Sequence, residues 1–217
     1  MKPFPLTDEN LIKFVSYNMQ FAPFVTGLAS RVAMSQIMVD GWDISAEIAS
    51  YVFDAARDEY HDRDAPAAVR TTHRSMAQAV LRVLGVESDK GLGVGWWSRI
   101  HNGYSHPVVG FALGFHLRAE EVAGGEFSAV MHRIMEERPD LQAALEAHKL
   151  PNGVQSAWSW FKVHASDGGA VEEDHASSAR KAVELLYRRE SHGDRDFVEY
   201  GISQFDRMNR EFWDSLK

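Results

Sequence analysis

Proline and glycine residues divide this 217-residue sequence into pieces of helix length, and alternating strand patterns are nearly absent. Thr7 can cap the first helix, which is expected to break near Pro23. The later helices are predicted at 29–38, from Asp43 or Ser45 to about Glu59, from Asp64 to Gly85, from Pro107 to about Val122, and at 126–137, 140–148, 153–166, 171–190 and 195–215. The glycine-rich segment 91–106 is predicted to be a connector. The chain is therefore expected to be all-α.

The size and composition of the chain indicate one globular domain spanning residues 1–217. Hydrophobic residues make up 45% and charged residues 25%, which is ordinary for a domain with a buried core. No repeat or composition shift marks a linker, and no apolar run approaches the roughly 18 residues that a membrane span needs. The first residues lack the apolar segment of a secretory signal. A cytoplasmic location without membrane association is therefore expected.

Charge and cysteine content restrict the possible partners and cofactors. The formal net charge of −8 argues against a nucleic-acid partner, because phosphate binding needs a clustered cationic surface. The sequence has no cysteine, which excludes disulfides, thiolate ligands and a cysteine nucleophile. Any metal ion would have to be held by histidine, aspartate and glutamate side chains.

Five predicted helices each place a potential metal ligand on the apolar stripe that should face the core. Glu59, for example, continues the row formed by Ile48 and Val52. The set comprises Glu59, His73, Glu120, His164 and, three residues apart on one helix, Glu172 and His175. Each one alone is more often a hydrogen-bonded core histidine or a glutamate in a solvated last turn. Because buried charges are normally paired or bound to metal, five such coincidences favour a metal site.

The chemistry of these donors restricts the metal. Three carboxylates and three imidazoles without sulfur suit iron or manganese. Three carboxylates would also neutralise much of the charge of two divalent ions. The Glu172-x-x-His175 pair lies on one helix face and can reach the same pair of ions. We therefore expect a site for two metal ions.

Several short motifs occur in an order that is typical of one family. They are Asp58-Glu59 at the end of one helix, Thr72-His73 at the start of the next, "ALGFHLRAEE", "WFKVH", "EEDHA" and the closing "REFWDSLK". Over residues 45–217 the chain resembles the heme-oxygenase-like diiron oxidases and oxygenases. The resemblance implies a compact helical bundle of about seven to nine helices.

The same resemblance implies a ligand set, with alternatives at two positions. The implied ligands are Glu59, His73, Glu120, His164, Glu172 and His175. Glu121 competes with Glu120, and Asp174 or Asp167 competes with Glu172, which stands where the family usually has aspartate. His164 and His175 are eleven residues apart, a longer spacing than the family's seven, so an insertion of about one helical turn is expected between them.

The resemblance also implies an activity. Members bind two Fe(II) ions per chain and use O2 as co-substrate through a peroxo-diferric intermediate, with no catalytic residues beyond the metal ligands. The expected reaction is N-oxygenation or oxidative C–C cleavage of a small amine or amino-acid-derived metabolite in natural-product biosynthesis, with a fatty-acid-like substrate second. An external electron donor and a homodimer are further expectations.

Three other interpretations remain open. A ferritin-like diiron bundle could use the Asp58-x-x-His61 and Glu172-x-x-His175 pairs, although Asp64 and Pro66 would end the helix directly after His61. A metal-free oxidase of the same fold, of the type that completes a quinone coenzyme, could use several histidines around an organic substrate. A non-enzymatic helical binding protein would keep the histidines as core groups.

Overall fold

The computed structural model describes residues 4–34, 42–60, 71–88, 91–165, 171–188 and 192–217. These residues form ten helices and no strand beyond an isolated bridge between Lys149 and Ser156. The helices are α1 (Asp8–Asn18), α2 (Ala22–Met34), α3 (Trp42–Tyr60), α4 (His73–Val83), α5 (Val94–Tyr104), α6 (Val109–Glu137), α7 (Pro139–Ala147), α8 (Ser159–His164), α9 (Val171–Arg188) and α10 (His192–Asp214). Nine of them have nine or more residues and α8 has six. The prediction of an all-α bundle is confirmed.

Two threonines set the starts of α1 and α4. The Thr7 Oγ1 atom accepts a hydrogen bond from the Asn10 N–H at 3.2 Å, and Thr72 Oγ1 accepts one from the Ser75 N–H at 3.0 Å. This side-chain cap satisfies a backbone donor that the first turn leaves without a partner. The cap at Thr72 makes His73 the first residue of α4, so a helix running unbroken from Asp64 is wrong. The predicted start at Asp64 itself lies outside the described residues.

The longest helix continues through a site where a break was predicted. α6 runs without interruption past Gly124 and Gly125, so the separate helix at 126–137 is wrong. Each glycine costs about 1 kcal/mol relative to alanine in a helix. Burial of residues such as Phe127 and Ile134 on the following turns offsets that cost. Tertiary packing therefore outweighs local propensity in this segment.

The predicted connector 91–106 contains a helix, α5, so that prediction was also wrong. Glycine does provide the entry, because Gly91 and Gly93 have φ angles of 81° and 67°. From Val94 onward the chain is helical because Ile100 and Tyr104 are buried in the core. In contrast, α8 is shorter than the predicted 153–166, since Gly153 has a φ of 68° and Val154 is exposed.

Contacts among α3, α4, α6, α8 and α9, and the packing of α6 on α10, position the candidate site. α9 lies against both α3 and α6, and α8 contacts α4, α6 and α9. α6 packs most extensively on α10, where Gly114 and Gly201 allow close approach of the two backbones. A Cβ atom at Gly114 would meet the backbone of Val198, and one at Gly201 would meet the Phe111 carbonyl oxygen. This crossing fixes the position of α6 in the centre of the molecule.

Within the described ranges, no helix combines the length and the apolar character needed to cross a membrane.

Candidate metal centre

Three of the predicted ligands converge from three helices. Glu59 lies near the end of α3, His73 begins α4, and His164 ends α8. Each offers one ligating atom, and these atoms all lie within 4.8 Å of one another. Both histidines are buried, and the Glu59 side chain is 21% exposed. Oxygen and nitrogen donors at this separation can converge on one ion at metal–ligand distances of about 2.0–2.2 Å after small adjustments.

The histidine rings in this cluster have defined orientations. The Nδ1 atom of His164 lies 2.7 Å from the Trp160 carbonyl oxygen, which can only accept, so Nδ1 carries the proton. The Nε2 atom of His164 is then an unprotonated donor for a metal, the usual arrangement of a ligating histidine. His73 Nδ1 is buried without a hydrogen bond and lies 3.4 Å from Glu59 Oε2. A metal ion would provide a partner for this nitrogen, so Glu59, His73 and His164 fit a metal site.

A second group of side chains lies around His175. Its Nε2 atom is 3.0 Å from Asp58 Oδ2, and its Nδ1 atom is 3.7 Å from Glu120 Oε2. Asp58 and His175 are both buried. From the sequence, Asp58 was assigned to a family motif and to the Asp58-x-x-His61 pair of the ferritin-like alternative, and its contact with His175 was not predicted. Its position next to Glu59 on α3 was the available signal.

Glu120 and Glu121 have different surroundings, although they are adjacent in α6. Glu120 Oε1 lies 3.3 Å from His116 Nδ1, which is also 3.2 Å from the Tyr104 hydroxyl. Glu121 instead faces arginines: its Oε1 accepts from Arg180 at 3.0 Å, and its Oε2 lies 3.4 Å from Arg118 Nη1. Successive residues of a helix point about 100° apart, which separates the two carboxylates. The geometry favours Glu120 over Glu121 as a ligand.

Burial and mutual charge determine the protonation of this centre. Burial acts to raise the pKa of Glu59, but His73, His164 and His175 together outweigh it, so that pKa lies below its usual value. Burial, reinforced by Glu59 and opposed by His175, raises the pKa of Glu120 to about 7. Burial, reinforced by His73, lowers the pKa of His164 to about 3. His164 is therefore neutral at neutral pH, the form that binds metal.

One cavity borders the centre. It has about 60 Å³ of space for the centre of a water-sized molecule, and Glu59, His73, Glu120 and His164 all contribute to its lining. Aromatic side chains from four helices and from the segment between α1 and α2 form much of the remaining wall: Tyr17, Phe21, Phe127, Trp160 and Phe205. Phe127 stacks on the His164 ring at a centroid distance of 4.5 Å. The wall is therefore in direct contact with a potential ligand.

The remaining candidate ligands lie outside these two groups or outside the described residues. Glu172 belongs to α9, but its side chain lies outside the described residues, as do Asp167 and His61 in full. Asp174 is exposed. Five of the six predicted ligands thus belong to two adjoining groups.

Comparison with models of protein families, with curated proteins and with solved structures finds no significant match.

Proposed function

We propose that the protein is a non-heme diiron enzyme that activates O2 to oxidise a small metabolite, as the resemblance to the heme-oxygenase-like oxidases implies. The observation that supports this most strongly is the convergence of Glu59, His73 and His164 within 4.8 Å beside a cavity. Glu120 and His175 supply a second carboxylate–histidine pair next to them. Buried acids and imidazoles in this number are costly unless they are paired or hold metal.

The donors divide between two ions in this proposal. Glu59, His73 and His164 would hold one ion, and Glu120 and His175 the other, with Glu172 as the expected sixth ligand. Oxygen and nitrogen donors suit iron, and manganese fits the same set. Bound iron would supply the reaction with O2, while the protein supplies placement and electrostatics.

The surrounding residues have roles that follow from their contacts. Asp58 accepts a hydrogen bond from His175 Nε2, so the Nδ1 atom, 3.7 Å from Glu120 Oε2, would be the nitrogen that binds the metal. The Trp160 carbonyl orients His164 in the same way. The aromatic wall lowers the local polarity beside the centre, which strengthens electrostatic interactions there.

The cavity beside the centre offers space for a small substrate. We propose an amine or amino-acid-derived metabolite that undergoes N-oxygenation or oxidative C–C cleavage.

The direct test is anaerobic loading with Fe(II), followed by mixing with O2 in a stopped-flow spectrometer. Bound iron with a transient visible absorption band is expected, and Glu59→Gln and His164→Ala should abolish both. His132→Ala provides a matched control, because His132 is an exposed histidine on α6. Iron that binds without reacting with O2 under any condition would contradict the oxidase.

A metal-free oxidase is the second candidate, and one observation favours it. Glu59 lies 3.4 Å from His73, and Asp58 hydrogen-bonds His175, so these charges can satisfy one another without a metal. O2 consumption with an organic substrate that persists in excess chelator would support this alternative. Consumption that requires added Fe(II) would support the diiron enzyme.

A further inference from the structure

Glu126 is a second acidic residue of α6 that borders the cavity, away from the candidate ligands. It follows Glu120 by six residues, which corresponds to roughly 9 Å along the helix axis. Its Oε1 atom accepts hydrogen bonds from Asn209 Nδ2 and Trp213 Nε1, both at 2.7 Å. Among the described residues, none donates a hydrogen bond to its Oε2 atom. One oxygen is therefore anchored to α10, and the other has no hydrogen-bond donor within the described part of the chain.

The two hydrogen bonds to Glu126 Oε1 do not require a carboxylate at this position. Asn209 and Trp213 are neutral donors, and the amide oxygen of a glutamine could accept both hydrogen bonds equally well. Burial raises the pKa of Glu126, against the lowering effect of these two donors, so the negative charge is disfavoured where it lies. Among the described residues, Arg118 is a cation near Glu126, and it is already bonded to Asp206 at 2.7 Å. A cationic ligand would offset the cost of the partly buried carboxylate.

The cavity wall beside Glu126 suits the same kind of ligand. Phe127 and Trp160 contact each other edge to face at 4.8 Å between centroids, and Phe127 also stacks on His164. Tyr17, whose hydroxyl lies 3.5 Å from Asn209 Oδ1, lines the cavity as well. Aromatic faces attract cations and pack against methylene groups. An apolar chain can therefore lie between Glu126 and the metal centre.

We propose that Glu126 binds a positively charged nitrogen of the substrate, so that the substrate is an aliphatic amine with several methylene groups. The ammonium group lies at Glu126, and the other end of the chain reaches the metal centre. The identity of the reacting end rests on the proposed diiron function, whereas the binding of an ammonium at Glu126 does not.

The test measures binding of three probes of equal length by isothermal calorimetry: hexylamine, hexanol and hexanoate. The metal-free and Fe(II)-loaded proteins are each titrated under anaerobic conditions. Wild type is expected to bind hexylamine about tenfold or more tightly than hexanol, and hexanoate most weakly. Glu126→Gln should lower the affinity for hexylamine about tenfold and leave that for hexanol unchanged. Glu137→Gln, at the far end of α6 and paired with Arg133, should change neither.

Two outcomes would overturn the proposal. One is hexylamine binding no better than hexanol to wild type, a comparison that needs no variant and stands even if Glu126→Gln does not fold. The other is a folded Glu126→Gln protein that binds hexylamine as tightly as wild type. Iron content is measured on the same samples. Selective amine binding without any bound iron would support ammonium binding at Glu126 and refute the diiron function. Bound iron without selective amine binding would support the diiron function and refute ammonium binding at Glu126.

Discussion

The Nε2 atom of His175 lies 3.0 Å from the Oδ2 atom of Asp58, across 117 residues of sequence. Asp58 precedes Glu59, which belongs to the cluster with His73 and His164. The two adjacent acids of α3 therefore contact both groups of candidate ligands. In metal sites, a carboxylate bonded to the outer nitrogen of a histidine fixes the ring and increases its basicity. In the proposed metal centre, Asp58 would have this positioning role.

Replacing Asp58 by asparagine should weaken the metal site without removing a ligand. The loss of the charged acceptor is expected to lower the affinity for one metal ion by about 10- to 100-fold. Competition with a chelator of known affinity measures this under anaerobic conditions. Asp54→Asn is the matched control, since Asp54 lies one turn earlier on α3 and pairs with Arg57 near the surface. Equal metal affinity in Asp58→Asn and wild type would refute the positioning role.

The adjacent acids of α6 should differ in their effect on metal content. Glu120→Gln removes a carboxylate that lies 3.7 Å from His175, and we expect it to lose one bound ion. Glu121→Gln removes ion pairs with Arg118 and Arg180 and should keep its metal. Its stability should fall by no more than about 1 kcal/mol, because these pairs are partly exposed. Metal loss in Glu121→Gln alone would reverse the assignment.

The metal-free protein should become less stable in acid, and His116 should account for part of the loss. Burial, reinforced by His175, lowers the pKa of His116 to about 3, while a histidine in the unfolded chain titrates near 6.5. Between these values the unfolded state binds the extra proton, so the free energy of unfolding falls as pH falls. Glu120 has the opposite effect, because its pKa is raised to about 7 in the folded protein. Between about pH 7 and 4.5 the folded state binds a proton at Glu120 that the unfolded state does not, so this contribution to the free energy of unfolding rises as pH falls.

Urea unfolding of wild type and His116→Gln between pH 6.5 and 5, with chelator present, separates these contributions. Groups distant from His116 cancel in the comparison, whereas Glu120, 3.3 Å from His116 Nδ1, titrates in a changed environment in the variant. The free energy of unfolding of wild type should fall more steeply with decreasing pH, by up to about 1.4 kcal/mol per pH unit. Parallel pH profiles would mean that His116 does not remain neutral in the folded protein.

Helical periodicity was sufficient to predict most of the elements and five of the converging residues. Glu59, Glu120 and His175 were found because each continues an apolar stripe, and such a stripe faces the core. Asp58 was missed because it lies about 100° around α3 from Glu59 and its partner is distant in sequence. Local patterns cannot show which acid contacts which histidine across a bundle.

Two of the errors in the fold have a common physical cause. The Gly124-Gly125 pair was interpreted as a break, and the glycine-rich connector was extended to residue 106, through α5. Propensity is a weak local preference of about 1 kcal/mol per glycine, and burial of neighbours such as Tyr104 and Phe127 exceeds it. The local sequence of a segment does not show which other helix will pack against it and bury these side chains.

Two glycines of α6 should respond oppositely to alanine. Gly114→Ala would drive its Cβ into the backbone of Val198, and we expect a loss of about 2 kcal/mol or more. Gly125→Ala meets no atom within 4 Å and should stabilise the helix by about 0.5–1 kcal/mol. Chemical denaturation of both variants measures the difference. Similar stabilities would contradict the close crossing of α6 and α10.

The central claim is that the two groups of side chains hold two metal ions. The most direct measurement is the iron content per chain after anaerobic Fe(II) loading and removal of unbound metal, in wild type, His73→Ala and His175→Ala. We predict about two ions in wild type and a loss of at least one in each variant, with His132→Ala unchanged. Wild type without bound iron, and variants that are only less stable, would mean that these histidines are core residues and would contradict the account.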